Sequence, residues 1–352
     1  MRTAGWQPGV LAALGSAFLF GAGTPLAKWL LDQLSPWMLA GLLYLGSGIG
    51  LGVYRQLRGA TRPRLNPGEM RWLIAAVLCG GGLAPVLLMY GLSAMAASHA
   101  ALLLNAEAVL TALLAWVVFR ENFDRRIAAG MAAIVAGALL LSWPQPDAAS
   151  GGLTLASLWP ALAVTLACFF WALDNNFTRK VALADASWIA CVKGLVAGAT
   201  NLALAFLAGA ALPAAAKISA AMLVGLLAYG VSLALFVVGL RHLGASRAGA
   251  YFSTAPFVGA LFSVLFLAEP VTWQLLAAAA LMALGIWLHL TEHHAHSHEH
   301  EVLEHEHLHA HDAHHPHDHA DVVQGQHSHW HRHEAMTHSH AHYPDAHHRH
   351  RH

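Results

Sequence analysis

The side chains able to do chemistry in this chain are few, and most sit inside long apolar runs. Glu107 lies mid-run in AALLLNAEAVLTALLAW, with His99 and Asn105 on the same strip. A lone charge in hydrocarbon costs about 3 kcal/mol or more, so a carboxylate kept there is a candidate for holding a proton or a cation. The plainer alternative is a protonated carboxyl hydrogen-bonded to Asn105 or to a neighbouring helix. Asp174, Asn175 and Asn176 form a second polar cluster, and Lys193 follows in the next apolar run. At 1.5 Å per residue, Asp174 and Lys193 fall at matching depths, roughly 7 and 9 Å from one end of their runs. An ion pair is expected, either structural or lining and gating a cavity. Lys28 near the end of the first run either snorkels to headgroups or contacts substrate. Tyr229, Ser232, Tyr251, Ser253, Thr254 and Pro256 offer hydroxyls and a kink to the same interior, although Ser and Thr also bond their own helix.

A different chemistry begins after Leu290. Residues 293–352 hold 24 of the 27 histidines, and ten carboxylates follow Leu290. Imidazoles alternate at His294, His296, His298, His300, then His305, His307, His309, His311, then His327, His329, His331, His333, and His338, His340, His342. Neutral imidazole binds late first-row metals, so zinc, nickel, cobalt or copper are expected ligands of this tail. The spacing is not that of a closed structural zinc site. With almost no apolar residues the segment is expected to be disordered without a ligand. A metal collector, a metal-responsive gate and a pH-sensitive polyelectrolyte would share this composition.

The elements that must position these groups are membrane helices. Hydrophobic residues make up 57% of the chain and charged residues 11%, which a soluble core does not require. Ten runs are long enough to approach the roughly 30 Å of a bilayer core, at about 9–31, 36–54, 71–91, 95–119, 127–143, 157–178, 187–209, 218–239, 248–268 and 273–290. Basic residues crowd alternate connections: Arg55, Arg58, Arg62, Arg64 and Arg71; Arg120, Arg125 and Arg126; Arg179 and Lys180; Arg241 and Arg247. The positive-inside rule then puts both termini in the cytoplasm of a cell (inner) membrane protein. The first run lacks a small-residue cleavage site and is expected to be retained. Cys79, Cys168 and Cys191 all fall in apolar runs and read as small buried residues.

The chain also repeats itself. Gly91–Glu121 recurs as Gly239–Glu269 at an offset of 148, matching Gly91/Gly239, Ala97/Ala245, Ser98/Ser246, Ala112/Ala260 and Glu121/Glu269. Five spans per copy is an odd number, so the second copy inserts upside down, the inverted repeat of many secondary transporters. The division is 9–143 for the first repeat, 144–156 for the linker, 157–290 for the second repeat and 291–352 for the tail. Glycines 41, 46, 48, 50 and 52 allow close packing of the second span, and Gly80, Gly81, Gly82 and Pro85 allow the third to kink or unwind. Glu121 and Glu269 read as turn residues before the next helix. The position matching Glu107 is Ala255, so the cavity is chemically lopsided.

The five-span duplication, the paired Ala-Ser steps at Ala97-Ser98 and Ala245-Ser246, and the closing Glu121 and Glu269 resemble the EamA-type branch of the drug/metabolite transporter superfamily. The resemblance covers about residues 9–290 and implies an all-α integral membrane carrier with a central cavity from spans 1–4 and 6–9, spans 5 and 10 being packing elements. Glu107, the Asp174-Asn175-Asn176 run and the tail depart from that pattern and leave the substrate open. The expected function is secondary transport of a small solute such as a metabolite, amino acid or drug, by alternating access, outward in direction, with protons as a coupling ion. Glu107, Asn105, His99, Asp174, Asn175, Asn176, Lys193, Lys28 and Tyr251 are the candidate substrate and coupling residues. Two alternatives are divalent-metal efflux with the tail as collector, and a membrane-anchored metal sensor or store. No cofactor is required and no nucleic-acid partner is expected. No His-Glu-x-x-His motif, nucleotide-phosphate loop or Ser/His pairing points to an enzyme.

Overall fold

A computed structural model of the chain describes residues 8–60, 63, 66–119, 125–143, 155–178, 181, 185–290, 295–300, 303–309, 327–333 and 336–341. The chain forms two units, Met1–Glu292 and His293–His352. Glu121, Arg62, Arg64, Arg120, Arg179, Lys180, His294, His311, His342 and most of the linker, 144–154, lie outside the described residues.

The first unit is helical. It opens with α1 (Pro8–Leu31) and α2 (Pro36–Leu57), then α3 (Pro67–Ala76), a π-helical stretch at Val77–Leu83 and α4 (Ala84–Ser93) in one continuous rod. Next come α5 (Ala97–Leu103), α6 (Ala106–Phe119) and α7 (Arg125–Ser142). The second half holds α8 (Leu155–Thr178), α9 (Ala186–Leu207), α10 (Ala215–Gly225), a second π-helical stretch at Leu226–Val231, α11 (Ser232–Phe252), α12 (Ala255–Phe266) and α13 (Trp273–Leu290). Among the described residues, seven helical stretches are long and apolar enough to cross a membrane, and Ala128–Ser142, Ala255–Phe266 and Trp273–Leu288 are shorter apolar helices.

Local sequence sets the ends. Ser35 caps α2 by accepting from the Met38 amide, with Pro36 at the first helical position. Asn66 and Glu69 form a capping box at α3. Asp185 caps α9 by accepting from the Ser187 and Trp188 amides. The GGG run in the third span is accommodated as π-helix, which breaks the regular ladder and turns carbonyls outward.

Two expectations need correction. The fourth span is not one helix: it breaks at Leu104 and Asn105, and its counterpart in the second half breaks at Ser253 and Thr254 before α12. The eighth and ninth spans, expected as separate helices, run through continuous helical hydrogen bonding in α11. The chain still reverses within it. The Phe236 and Phe252 rings lie 4.9 Å apart, whereas sixteen residues of straight helix would separate them by about 24 Å.

The halves interlock. α1 packs on α11 and α12 of the second half, while α8 packs on α3, α4 and α6 of the first. α2 and α9 lie against each other, as do α7 and α13. The glycines of α2 explain its intimacy with α9: a Cβ on Gly48 would strike the backbone of Gly194 and Leu195. Ser16 and Ser232 tie α1 to α11 reciprocally, each hydroxyl donating to the other's carbonyl, at 2.7 and 2.9 Å.

The second unit departs from the expected disorder. β1 (Ala295–His300) pairs antiparallel with β4 (Met336–Ala341), and β2 (Leu303–His309) with β3 (His327–His333). Alternation of imidazole with other residues has the period of a strand. The register sets His296 opposite His340, His298 opposite His338, His305 opposite His331, His307 opposite His329 and His309 opposite His327.

Candidate functional site: a polar chamber at the broken helices

Because the fourth span breaks at Leu104–Asn105, Glu107 stands in the first turn of α6. Its Oε1 accepts a 2.8 Å hydrogen bond from Asn175 Nδ2 on α8, in the other half. Asn175 also reaches the Thr111 hydroxyl at 3.4 Å, one turn along α6. The expected alternative partner, Asn105, turns away: its Nδ2 donates to the Leu102 carbonyl and lies 3.6 Å from the Met282 sulfur on α13. Asn105 is therefore part of the break and not of the chamber. Glu107 is half-buried and Asn175 exposed, where α6 of one half packs on α8 of the other.

One residue before Asn175 on α8, Asp174 makes the ion pair that matching depths implied. Lys193 Nζ lies 2.6 Å from both carboxylate oxygens of Asp174 and 3.4 Å from the Thr178 hydroxyl, which itself donates to Asp174 at 3.0 Å. A lysine ammonium has three donors, and three acceptors surround this one. The Asp174 carboxylate is pressed against Gly80, where any Cβ would overlap it. Asn176 points elsewhere, donating to the Ala172 carbonyl at 2.8 Å.

The π-helical stretch borders this polar cluster at Gly80. Its freed carbonyls are taken up by side chains from three helices: Gly80 O accepts from the Tyr44 hydroxyl at 2.8 Å and from Trp171 Nε1 at 3.1 Å, and Gly81 O from Asn201 Nδ2 at 2.9 Å. The Tyr44 ring lies 5.7 Å from Tyr229 of the second π-helical stretch, Tyr229 lies 5.8 Å from Phe20, and Phe20 lies 5.3 Å from Phe252. Tyr44, Trp171, Asn201, Thr111 and Phe20 were not marked by the sequence reasoning. Asn201 and Tyr44 are isolated polar groups in Gly-rich or Ala-rich spans, and that isolation was the usable signal.

Three further candidates lie apart from this cluster. The Lys28 ammonium donates to the Leu92 and Ser93 carbonyls at 2.7 and 3.2 Å and so caps the end of α4. His99 Nδ1 lies 3.4 Å from its neighbour Ser98 Oγ. Tyr251 is half-buried, and its carbonyl accepts the Thr254 hydroxyl at 2.6 Å. Ser253 and Thr254 thus bond their own helix. Ala255, the counterpart of Glu107, is fully buried, its carbonyl against Gly21.

Glu269 also needs correction. Its oxygens accept the amides of Ala97 at 2.6 Å and Ser98 at 2.9 Å, capping α5 of the first half and not the helix that follows it. Three residues of the duplicated pattern, Ala97, Ser98 and Glu269, thereby meet across the halves. At the opposite end of α2, Arg55 pairs with Asp185 at 2.8 Å and donates to Ser187 at 2.6 Å. Burial alone would raise the Asp185 carboxyl, but hydrogen bonds from Ser187, Arg55 and the Trp188 amide hold it down at about 2.

Interlocked apolar helices, seven of them among the described residues long enough to cross a bilayer, mark a multi-pass membrane protein. The family model of the EamA-like transporter family matches residues 7–143 and again 158–291, and the chain belongs to that family. An uncharacterized transporter of Methanothermobacter thermautotrophicus is 26% identical over 295 residues, covering 80% of this chain and 85% of that one. A solved crystal structure shares the fold with a TM-score of 0.60 at 18% identity, covering 80% of this chain and 96% of the other.

Proposed function

We propose that this protein is a secondary carrier that moves a small solute outward by alternating access, through a chamber between its two halves. The observation that carries the reading is the Glu107–Asn175 contact, a carboxylate at a helix break held by an amide of the other half. A carboxylate kept in an apolar span is a candidate to hold a proton or a cation that arrives and leaves. In this reading ten spans form two inverted repeats of five, residues 9–143 and 157–290, and both termini lie in the cytoplasm. Accessibility labelling that finds the two ends of the chain on opposite faces would overturn that topology.

Proton coupling is assigned to Glu107, with Asp174, Lys193, Tyr44 and Cys168 as the titratable groups around it. Purified protein in proteoliposomes should show solute uptake that depends on an imposed pH gradient, and Glu107→Gln should abolish that dependence. Full activity with full pH dependence in the variant removes the coupling role. The tail is proposed as a binder of divalent zinc, nickel, cobalt or copper beside the carrier. Deleting residues 292–352 should leave solute flux and remove metal binding, whereas a membrane-anchored metal store would lose its whole phenotype.

A further inference from the structure

Resting on the reading of the tail as a metal binder, we propose that each of its two β-ladders forms a discrete, all-nitrogen site for one late first-row divalent cation, held by two adjacent cross-strand histidine pairs. On β1 and β4 the pairs are His296/His340 and His298/His338. On β2 and β3 they are His305/His331 and His307/His329. A tail that gathers ions through imidazole density alone needs no pairing, whereas these two sites exist only through it.

The register is the first observation. Residues two apart on a strand share a face, and so do partners directly opposite one another. A slip of one residue would set His305 against Arg332, His307 against Trp330 and His309 against Ser328. The same slip in the other ladder would set His296 against Ala341 and His298 against Ser339. Both ladders instead take the register that sets imidazole positions opposite imidazole positions, twice in succession.

Spacing is the second. Opposite Cβ atoms of an antiparallel pair lie about 5 Å apart and same-face neighbours along a strand about 7 Å. Two adjacent pairs therefore mark the corners of a rectangle small enough for four imidazoles to reach one ion through bonds of about 2 Å. Each ion would tie together strands from distant parts of the tail, so binding and ladder formation are coupled.

The third is a separation of donor types. Glu304 and Glu306 occupy the alternate face of their ladder, in register with Arg332 and Trp330, and Glu299 occupies that of the other, in register with Thr337. No carboxylate shares a face with the paired histidines among the described strand residues. Magnesium, calcium and manganese, which take oxygen ligands, are offered none there, while nickel, copper and zinc accept imidazole. The membrane unit offers no rival: none of its described residues form a group of three His, Cys, Asp or Glu able to hold a metal.

The test uses full-length protein purified in detergent, stripped of metal and titrated with nickel(II) or copper(II). Two variants exchange neighbours and keep the composition: His307→Leu with Leu308→His in β2, and Ser339→His with His340→Ser in β4. No register of the exchanged strands can then stack two histidine pairs. The parent should bind two ions tightly, each variant one, and the combined variant none, its remaining sites being weaker by at least about tenfold. Electron paramagnetic resonance of the parent's tightly bound copper(II) should show four nitrogens, a signature the combined variant lacks. Magnesium and manganese in excess should displace nothing. Two tight ions with four nitrogens in the combined variant overturn the ladder sites and leave the tail a metal binder. A carboxylate oxygen in the parent's copper sphere overturns them as well. A parent that binds no ion tightly removes both the sites and the metal-binding reading of the tail.

Discussion

Glu269 shows how much one side chain can join. Both of its oxygens accept backbone amides from the start of α5, so the carboxylate supplies two charge-assisted hydrogen bonds between the halves. Glu269→Gln offers one good acceptor in place of two, and thermal unfolding in detergent should register a loss of about 1–2 kcal/mol. Asp185 makes a pH prediction with a definite sign. Its folded carboxyl titrates near 2 against an ordinary 3.8, so its contribution is present above about 3.8 and lost as pH falls through about 2. Asp185 is largely exposed, so the effect is small. Asp185→Asn should unfold at a slightly lower temperature than the parent at neutral pH, and the gap should close between these two values. Among the residues marked from sequence, Asp174 and Lys193 were legible because depth in an apolar run is a one-dimensional quantity. The partners of Glu107 and Glu269 were not, since each reaches 68 or more positions along the chain and rotates into view only after packing.

The broken and widened helices decide what lies in the chamber. Gly80 admits the Asp174 carboxylate, and Lys193 neutralises it. Removing the lysine alone strands a carboxylate: Lys193→Met should cost about 3–5 kcal/mol or fail to accumulate, and adding Asp174→Asn should recover most of the loss. A double variant no better than the single one would mean the lysine acts through something other than the pair. α12 ends at Phe266, and two residues further on Ala268 has a φ of 52°, left-handed and strained for a residue with a Cβ. Ala268→Gly should therefore raise stability, by up to about 1 kcal/mol, with Glu269 still in place. Gly80–Gly82 and Pro85 announced an irregular third span, and a π-helix is the form it takes. The break at Leu104–Asn105 had no such herald: Leu, Asn and Ala all suit a helix in lipid, and the tertiary fit chose the interruption.

At the scale of the molecule, the repeat was plain in the sequence as a fixed offset, whereas its interlock was invisible because an offset says nothing about which copy packs on which. α1 lies on helices of the second half and α8 on helices of the first. Ser16 and Ser232, more than two hundred positions apart, complete each other's hydrogen bonds. During synthesis, then, the helices of the leading half emerge with a seam that only later-made helices can fill. They must wait in the lipid, shielded by the insertion machinery or by chance neighbours, until the ribosome has finished the remainder. Two separately encoded fragments, cut at the linker, should for the same reason find each other when made together and perish when made alone.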